Sequence, residues 1–137
     1  MTRVYADGVY DLFHYGHVES LRKARSLGDY LLVGVATEGE QLEAFKRKPI
    51  LTLEERIASV AGCRYVDEVL PLPCADYFID RAWIELHDID LVVHGDDLTQ
   101  KQLEYYYKVP IELGIFRKLP YTRGISTTDI IHRITEG

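Results

Sequence analysis

The chain is poor in cysteine, and the two residues it has, Cys63 and Cys74, lack CxxC spacing. They are too few for a disulfide framework or a four-ligand zinc site, so both are expected to be reduced thiols. No apolar run approaches the roughly 20 residues that a membrane span needs. The opening MTRVYADG has no apolar stretch leading to a small-residue cleavage site, so no secretory signal is read and a cytoplasmic location is expected. Positive charge is also scarce: 16 Lys and Arg against 22 Asp and Glu give a formal charge of -6. That disfavours a surface built for nucleic acid, and any anion bound here must sit in a local pocket. Neither GxGxxG after the first strand nor GxxxxGK[ST] occurs, so neither of the usual glycine-rich phosphate loops is signalled.

What is present is an alternation of strand-like and helix-like segments. RVYADG reads as a short buried strand ending in a turn. From about 16 to 27 an amphipathic helix carries Val18, Leu21 and Ala24, with Gly28 as its stop. DYLLVGVAT (29–37) is nearly all apolar, as in a strand covered on both faces. The polar stretch EGEQLEAFKRKPIL reads as a loop carrying Lys46, Arg47 and Lys48. Thr52 and Glu55 have capping-box spacing ahead of a stripe of Leu53, Ile57 and Val60. YVDEVL gives a third strand, and Ile79, Trp83 and Leu86 recur at helical spacing. IDLVVHGDD gives a fourth strand, a tyrosine-rich helix covers about 99–107, and IFRKL gives a fifth strand. In YTRGISTTDIIHRI, Ser126 caps a helix with Ile130, Ile131 and Ile134 on one face, and Asp129 stands where it completes a capping box. The expected fold is α/β: a Rossmann-like, doubly wound sheet of about five parallel strands with helices on both faces. Residues 1–137 are read as a single domain, whether whole or excised from a longer protein.

In such a sheet ligands bind beyond the carboxyl ends of the strands. The DLFHYGH stretch (11–17) falls there, and its histidines three apart share a helix face. Three readings of His14 and His17 compete. Zinc needs a third protein ligand and HExxH is absent, so no metal site is assigned. A structural pair with both rings half-buried is the plain alternative. The third is a cationic cradle for phosphate at a helix start, where free amides favour anions. A second helix start at Ser126–Thr128 offers three hydroxyls, and the loop at Lys46 offers a cation. Together they describe a nucleotidyl-transfer site, whose nucleophile is an already ionised phosphate-type oxygen. Such chemistry needs donors and cations rather than a general base.

ADGVYDLFHYGH (6–17), LGDYLLVGV (27–35), CRYVDEV (63–69), VVHGDD (92–97) and GISTTDII (124–131) resemble, in identity and order, the small cytidylyltransferases of the HxGH superfamily. The resemblance implies a CTP-dependent transferase in which His14, His17 and Lys46 are catalytic, the histidines stabilising a five-coordinate α-phosphorus. It places Gly8, Val9, Tyr10, Asp11, Gly16 and His94 at the nucleotide, and Asp97 at its sugar. Gly124, Ile125, Ser126, Thr127 and Thr128 are placed at the outgoing phosphates. It implies Mg2+ accompanying CTP and a homodimer. Two departures bear on the details. The family's RTxGIST is here YTRGIST, so Tyr121 stands in the arginine's place and Arg123 lies two positions on, still a candidate for phosphate. Cys74 stands about where choline-type members carry an aromatic wall. Asp7 resembles the residue that meets a cationic head group, and with Arg64, Tyr105 and Tyr121 it makes up the candidate acceptor site. The acceptor expected from these departures is a compact phosphonate such as 2-hydroxyethylphosphonate, as in the cytidylyltransferase domain of fosfomycin-type biosynthetic enzymes. Phosphoethanolamine, adenylyl transfer from ATP, and a nucleotide-binding module without catalysis are the alternatives.

Overall fold

A computed structural model describes residues 1–37, 48–72, 79–95, 98–120 and 125–136. Five strands, β1 (Arg3–Gly8), β2 (Tyr30–Val35), β3 (Glu68–Pro71), β4 (Leu91–Gly95) and β5 (Phe116–Leu119), form one sheet in the order β3-β2-β1-β4-β5. Every pairing is parallel, with Val4 opposite Leu31 on one side and Leu91 on the other. The expected doubly wound fold is therefore the one found. Its order reverses between β1 and β4, and the crevice outside their carboxyl ends is the place such sheets reserve for ligands.

The helices are α1 (Tyr15–Arg25), α2 (Leu53–Ala61), α3 (Arg81–Leu86), α4 (Gln100–Tyr106), α5 (Lys108–Glu112) and α6 (Thr127–Glu136). Side chains alternate across a strand, so β1 sends Val4 and Ala6 into a core with Leu21, Ala24 and Val60 of α1 and α2. Tyr5 points the other way, into a second core with Ile84 of α3, Leu103 of α4 and Tyr107. Both faces of the central strands are dry, which is why β2 reads as a continuous apolar run. Among the described residues no helix is long and apolar enough to cross a membrane.

Three boundaries differ from expectation. The third strand begins at Glu68 instead of Tyr65, because Val66 N donates into a turn at Cys63 O and only Asp67 N reaches Leu31 O beside β2. Ile79 is a core residue that precedes its helix, which Asp80 caps at Trp83 N. The tyrosine helix stops at Tyr106; Tyr107, at φ -117°, breaks it from α5 and turns its ring into the core. Thr52 and Glu55 close the expected capping box of α2 at 3.2 and 2.9 Å.

Candidate active site

The loop from β1 to α1 carries the histidine motif, and the peptide amides there decide the state of both rings. His14 is the N-cap of α1: its Nδ1 accepts from Gly16 N at 3.1 Å. His17 completes an unusual capping box by accepting from His14 N on its own Nδ1 at 3.2 Å. A ring nitrogen that accepts an N–H carries no proton, so each neutral imidazole has its proton on Nε2. The rings stack 3.8 Å apart, with Phe13 and Tyr10 against the other sides of His17. Burial, then repulsion from His14, holds the His17 imidazole down at about 3 despite the opposing pull of Asp11, and burial lowers His14 as well. The pair is thus two neutral Nε2–H donors at physiological pH, and the positive charge of a cationic cradle does not come from them.

Gly16 lies between the two halves of the site. A Cβ there would come within 2.9 Å of His14 Cε1 and 3.0 Å of Ile125 Cγ2. Glycine thus lets the 125–128 segment close against the histidine loop. Thr127 Oγ1 donates to Asp11 O at 3.0 Å and lies 3.4 Å from His14 Nε2. Ser126 Oγ accepts from Asp129 N at 3.1 Å, capping α6. Thr128 is exposed on the first turn. The two helix starts that the sequence set 110 residues apart therefore meet.

Asp11 is used differently from what its motif implied. Its buried carboxylate accepts from Ile50 N (2.8 Å) and Leu51 N (2.9 Å), strapping the approach to α2 onto the histidine loop. The neighbours on either side of it, Tyr10 (φ 55°) and Leu12 (φ 49°), are in left-handed backbone, which costs a side-chain-bearing residue about 1–2 kcal/mol. Buried packing of the Tyr10 ring, which also sits against Gly8, and the Asp11 strap hold that shape.

A residue that sequence reading passed over locks the same region. Arg56 is fully buried, and its guanidinium donates to Leu51 O (3.2 Å), Val9 O (3.0 Å) and Ala36 O (2.7 Å). Three segments converge on one planar donor fork, a task that suits arginine better than lysine. Its signal in the sequence was an arginine three residues after Leu53, within the apolar stripe of α2.

Across the switch point, Asp7 ends β1 beside β4. Tyr107 O–H donates to Asp7 Oδ1, and His94 Nδ1 lies 2.9 Å from the Tyr107 oxygen and 3.6 Å from Asp7 Oδ1. Asp7 Oδ2 is buried and has no hydrogen-bond partner among the described residues. An unmet buried carboxylate oxygen is costly and calls for a donor.

Of the other expected residues, Tyr105 is 60% exposed and meets the Tyr106 ring edge-on; Tyr107 is the tyrosine that reaches Asp7. Arg64 is exposed over Tyr65, in the turn after α2 at the amino ends of the strands. That is the opposite end of the sheet from the crevice, and within one chain Arg64 does not join the acceptor residues. Lys46, Asp97, Tyr121, Arg123 and Gly124, with Cys74, lie outside the described residues.

The family model for cytidylyltransferase-like proteins matches residues 5–133. The chain is 47% identical over 138 residues to an ethanolamine-phosphate cytidylyltransferase of Arabidopsis thaliana, covering 96% of this chain and 32% of the relative. It is 39% identical over 141 residues to choline-phosphate cytidylyltransferase 2 of the same plant, covering 98% of this chain and 45% of that one. The chain thus spans about a third to a half of the length of these relatives. Among solved structures it is similar to a lipopolysaccharide core biosynthesis protein of Thermoplasma volcanium, at 26% identity and a TM-score of 0.71, covering 91% of this chain and 99% of that one.

Proposed function

Because the chain belongs to the cytidylyltransferase-like family, we propose that it transfers a cytidylyl group from CTP to ethanolamine phosphate. A phosphate oxygen of the acceptor attacks the α-phosphorus, the bond from that phosphorus to the α–β bridging oxygen breaks, and pyrophosphate leaves. The attacking oxygen is already ionised, so no proton has to be removed. The barrier lies in bringing two anions together and in the charge that builds on the five-coordinate phosphorus.

His14 and His17 answer that charge with two Nε2–H groups fixed from behind by backbone amides. Neutral donors suit this role, since their orientation is set before the substrate arrives and nothing has to reorganise as charge develops. The start of α6, with Ser126 as its cap, receives the departing phosphates at its positive end. Lys46 supplies the cation in this reading. No three carboxylate, imidazole or thiol groups converge into a metal site among the described residues. Mg2+ enters on the phosphates of CTP in this reading, as it commonly does in nucleotide-handling sites.

The observation that carries the acceptor assignment is Asp7. Its Oδ2 is buried at the switch point without a partner among the described residues, and a primary ammonium offers both the charge and the N–H that would meet this oxygen. A quaternary ammonium offers charge without a donor. 2-Hydroxyethylphosphonate offers a neutral hydroxyl donor without the charge, so the earlier expectation of a phosphonate acceptor gives way to ethanolamine phosphate. The 47% identity to an ethanolamine-phosphate cytidylyltransferase, against 39% to the choline-phosphate one, supports that choice.

The test is pyrophosphate release from CTP or ATP with ethanolamine phosphate, choline phosphate, glycerol phosphate or 2-hydroxyethylphosphonate. CTP with ethanolamine phosphate is expected to give the highest kcat/KM. Asp7→Asn should lower it by about 10- to 100-fold, the worth of one hydrogen bond to a charged group, about 1.5–3 kcal/mol. Equal turnover of glycerol phosphate, or an Asp7→Asn enzyme that keeps its preference, would refute the acceptor assignment.

A further inference from the structure

Thr127 stands in a motif whose hydroxyls are expected on the outgoing phosphates, yet its hydroxyl is committed elsewhere. It has one proton, and that proton goes to Asp11 O at 3.0 Å. Its lone pairs are therefore what faces His14 Nε2, 3.4 Å away. From the other side, Gly16 N–H enters His14 Nδ1 at 3.1 Å, which leaves the ring proton on Nε2. The two contacts agree: one requires an unprotonated Nδ1, the other receives the Nε2–H.

We propose that Thr127 is a positioning residue, whose hydroxyl accepts the His14 Nε2–H and holds the ring aimed at the place a phosphate oxygen occupies. This rests on the cytidylyl-transfer reading above and names a task within the same site. The anchor to Asp11 O fixes the hydroxyl to the histidine loop, so α6 and the ring move as one unit. At 3.4 Å the contact with Nε2 is long and weak. His14 exchanges it readily for a phosphate oxygen, which makes a shorter and stronger charge-assisted bond.

The alternative, a direct phosphate ligand, predicts different kinetics. Loss of a ground-state phosphate contact raises KM for CTP, whereas loss of the aim of a transition-state donor lowers kcat. Thr127→Val keeps the shape and removes the hydroxyl. It is expected to lower kcat about tenfold or more, with KM for CTP within about threefold. Nitrogen-15 correlation spectra of the histidine rings give a readout independent of turnover. In the free wild-type protein His14 should show the Nε2–H pattern with a protected ring proton. In Thr127→Val that proton should be lost to exchange and the ring resonances should shift, and Thr127→Ser should return both. A His14 ring with its proton on Nδ1, ring signals unchanged in Thr127→Val, or a loss confined to KM would each overturn the assignment. If no nucleotide is turned over by the wild type, the transferase reading fails while the spectra still decide the role of Thr127. If Thr127→Val does not fold, the wild-type and Thr127→Ser spectra carry the decision.

Discussion

Acidification should destabilise this protein through one ring, His17. In the unfolded chain a histidine titrates near its ordinary value of 6.5; in the fold, burial and the adjacent His14 hold His17 down at about 3. The unfolded state then binds more protons than the native state at any pH between those values. Stability from this group is present above about 6.5 and is lost as pH falls below it. At pH 5 the loss is RT ln[(1 + 10^1.5)/(1 + 10^-2)], about 2 kcal/mol relative to pH 7.5. The figure is insensitive to the folded value: any value below about 4.5 gives nearly the same result, because the unfolded side of the ratio dominates. The control is His17→Asn, whose side-chain oxygen can take the place of Nδ1 as acceptor from His14 N but cannot titrate. Urea unfolding followed by circular dichroism at pH 7.5 and 5.0 gives both stabilities. The wild type should lose about 2 kcal/mol more than His17→Asn over that interval. If the two proteins lose the same amount, His17 is not held neutral by the fold, and the two-donor description of the site fails with it.

Three substitutions test the geometry around it. Gly16→Ala puts a methyl 2.9 Å from the His14 ring and 3.0 Å from Ile125; pyrophosphate release should fall about 100-fold or more while the circular dichroism spectrum stays native. Arg56→Met leaves one buried and two part-buried carbonyls on separate segments without their donor, and denaturant melts should show a loss of about 3–5 kcal/mol. Gly34→Ala brings a Cβ to 2.2 Å from the Tyr5 hydroxyl in the second core. It should cost about 1–3 kcal/mol, and a double-mutant cycle with Tyr5→Phe should give a favourable coupling of at least ~0.5 kcal/mol; strict additivity would mean the contact is relieved some other way.

Much of the fold was legible because its signals are local. The apolar run of β2, the capping box at Thr52 and Glu55, and the helix start at Ser126 each depend on residues within a turn or two of one another, and each lies where the pattern put it. The position of the histidine motif, at a helix start just beyond the first strand, was likewise legible. Boundaries set by distant contacts were not. Tyr107 carries the same helix-compatible pattern as its neighbours, and it leaves the helix because its ring is drawn into a core with Tyr5 and Leu103 and its hydroxyl to Asp7, 100 residues away.

The residues of this chain by themselves determined the order of strands and helices and which end of the sheet carries the histidine motif. The tertiary structure decided what each polar side chain does there. Charge on His14 and His17 was settled by which backbone N–H points at Nδ1 and by how tightly Phe13 and Tyr10 shield the rings. The Asp11 carboxylate went to the amides of Ile50 and Leu51, and Arg56 became the bolt between three segments. The physical reason is the same in each case. Periodicity along a chain reports which face of an element is dry, but protonation and hydrogen bonding depend on groups brought to within about 3 Å from far along the sequence.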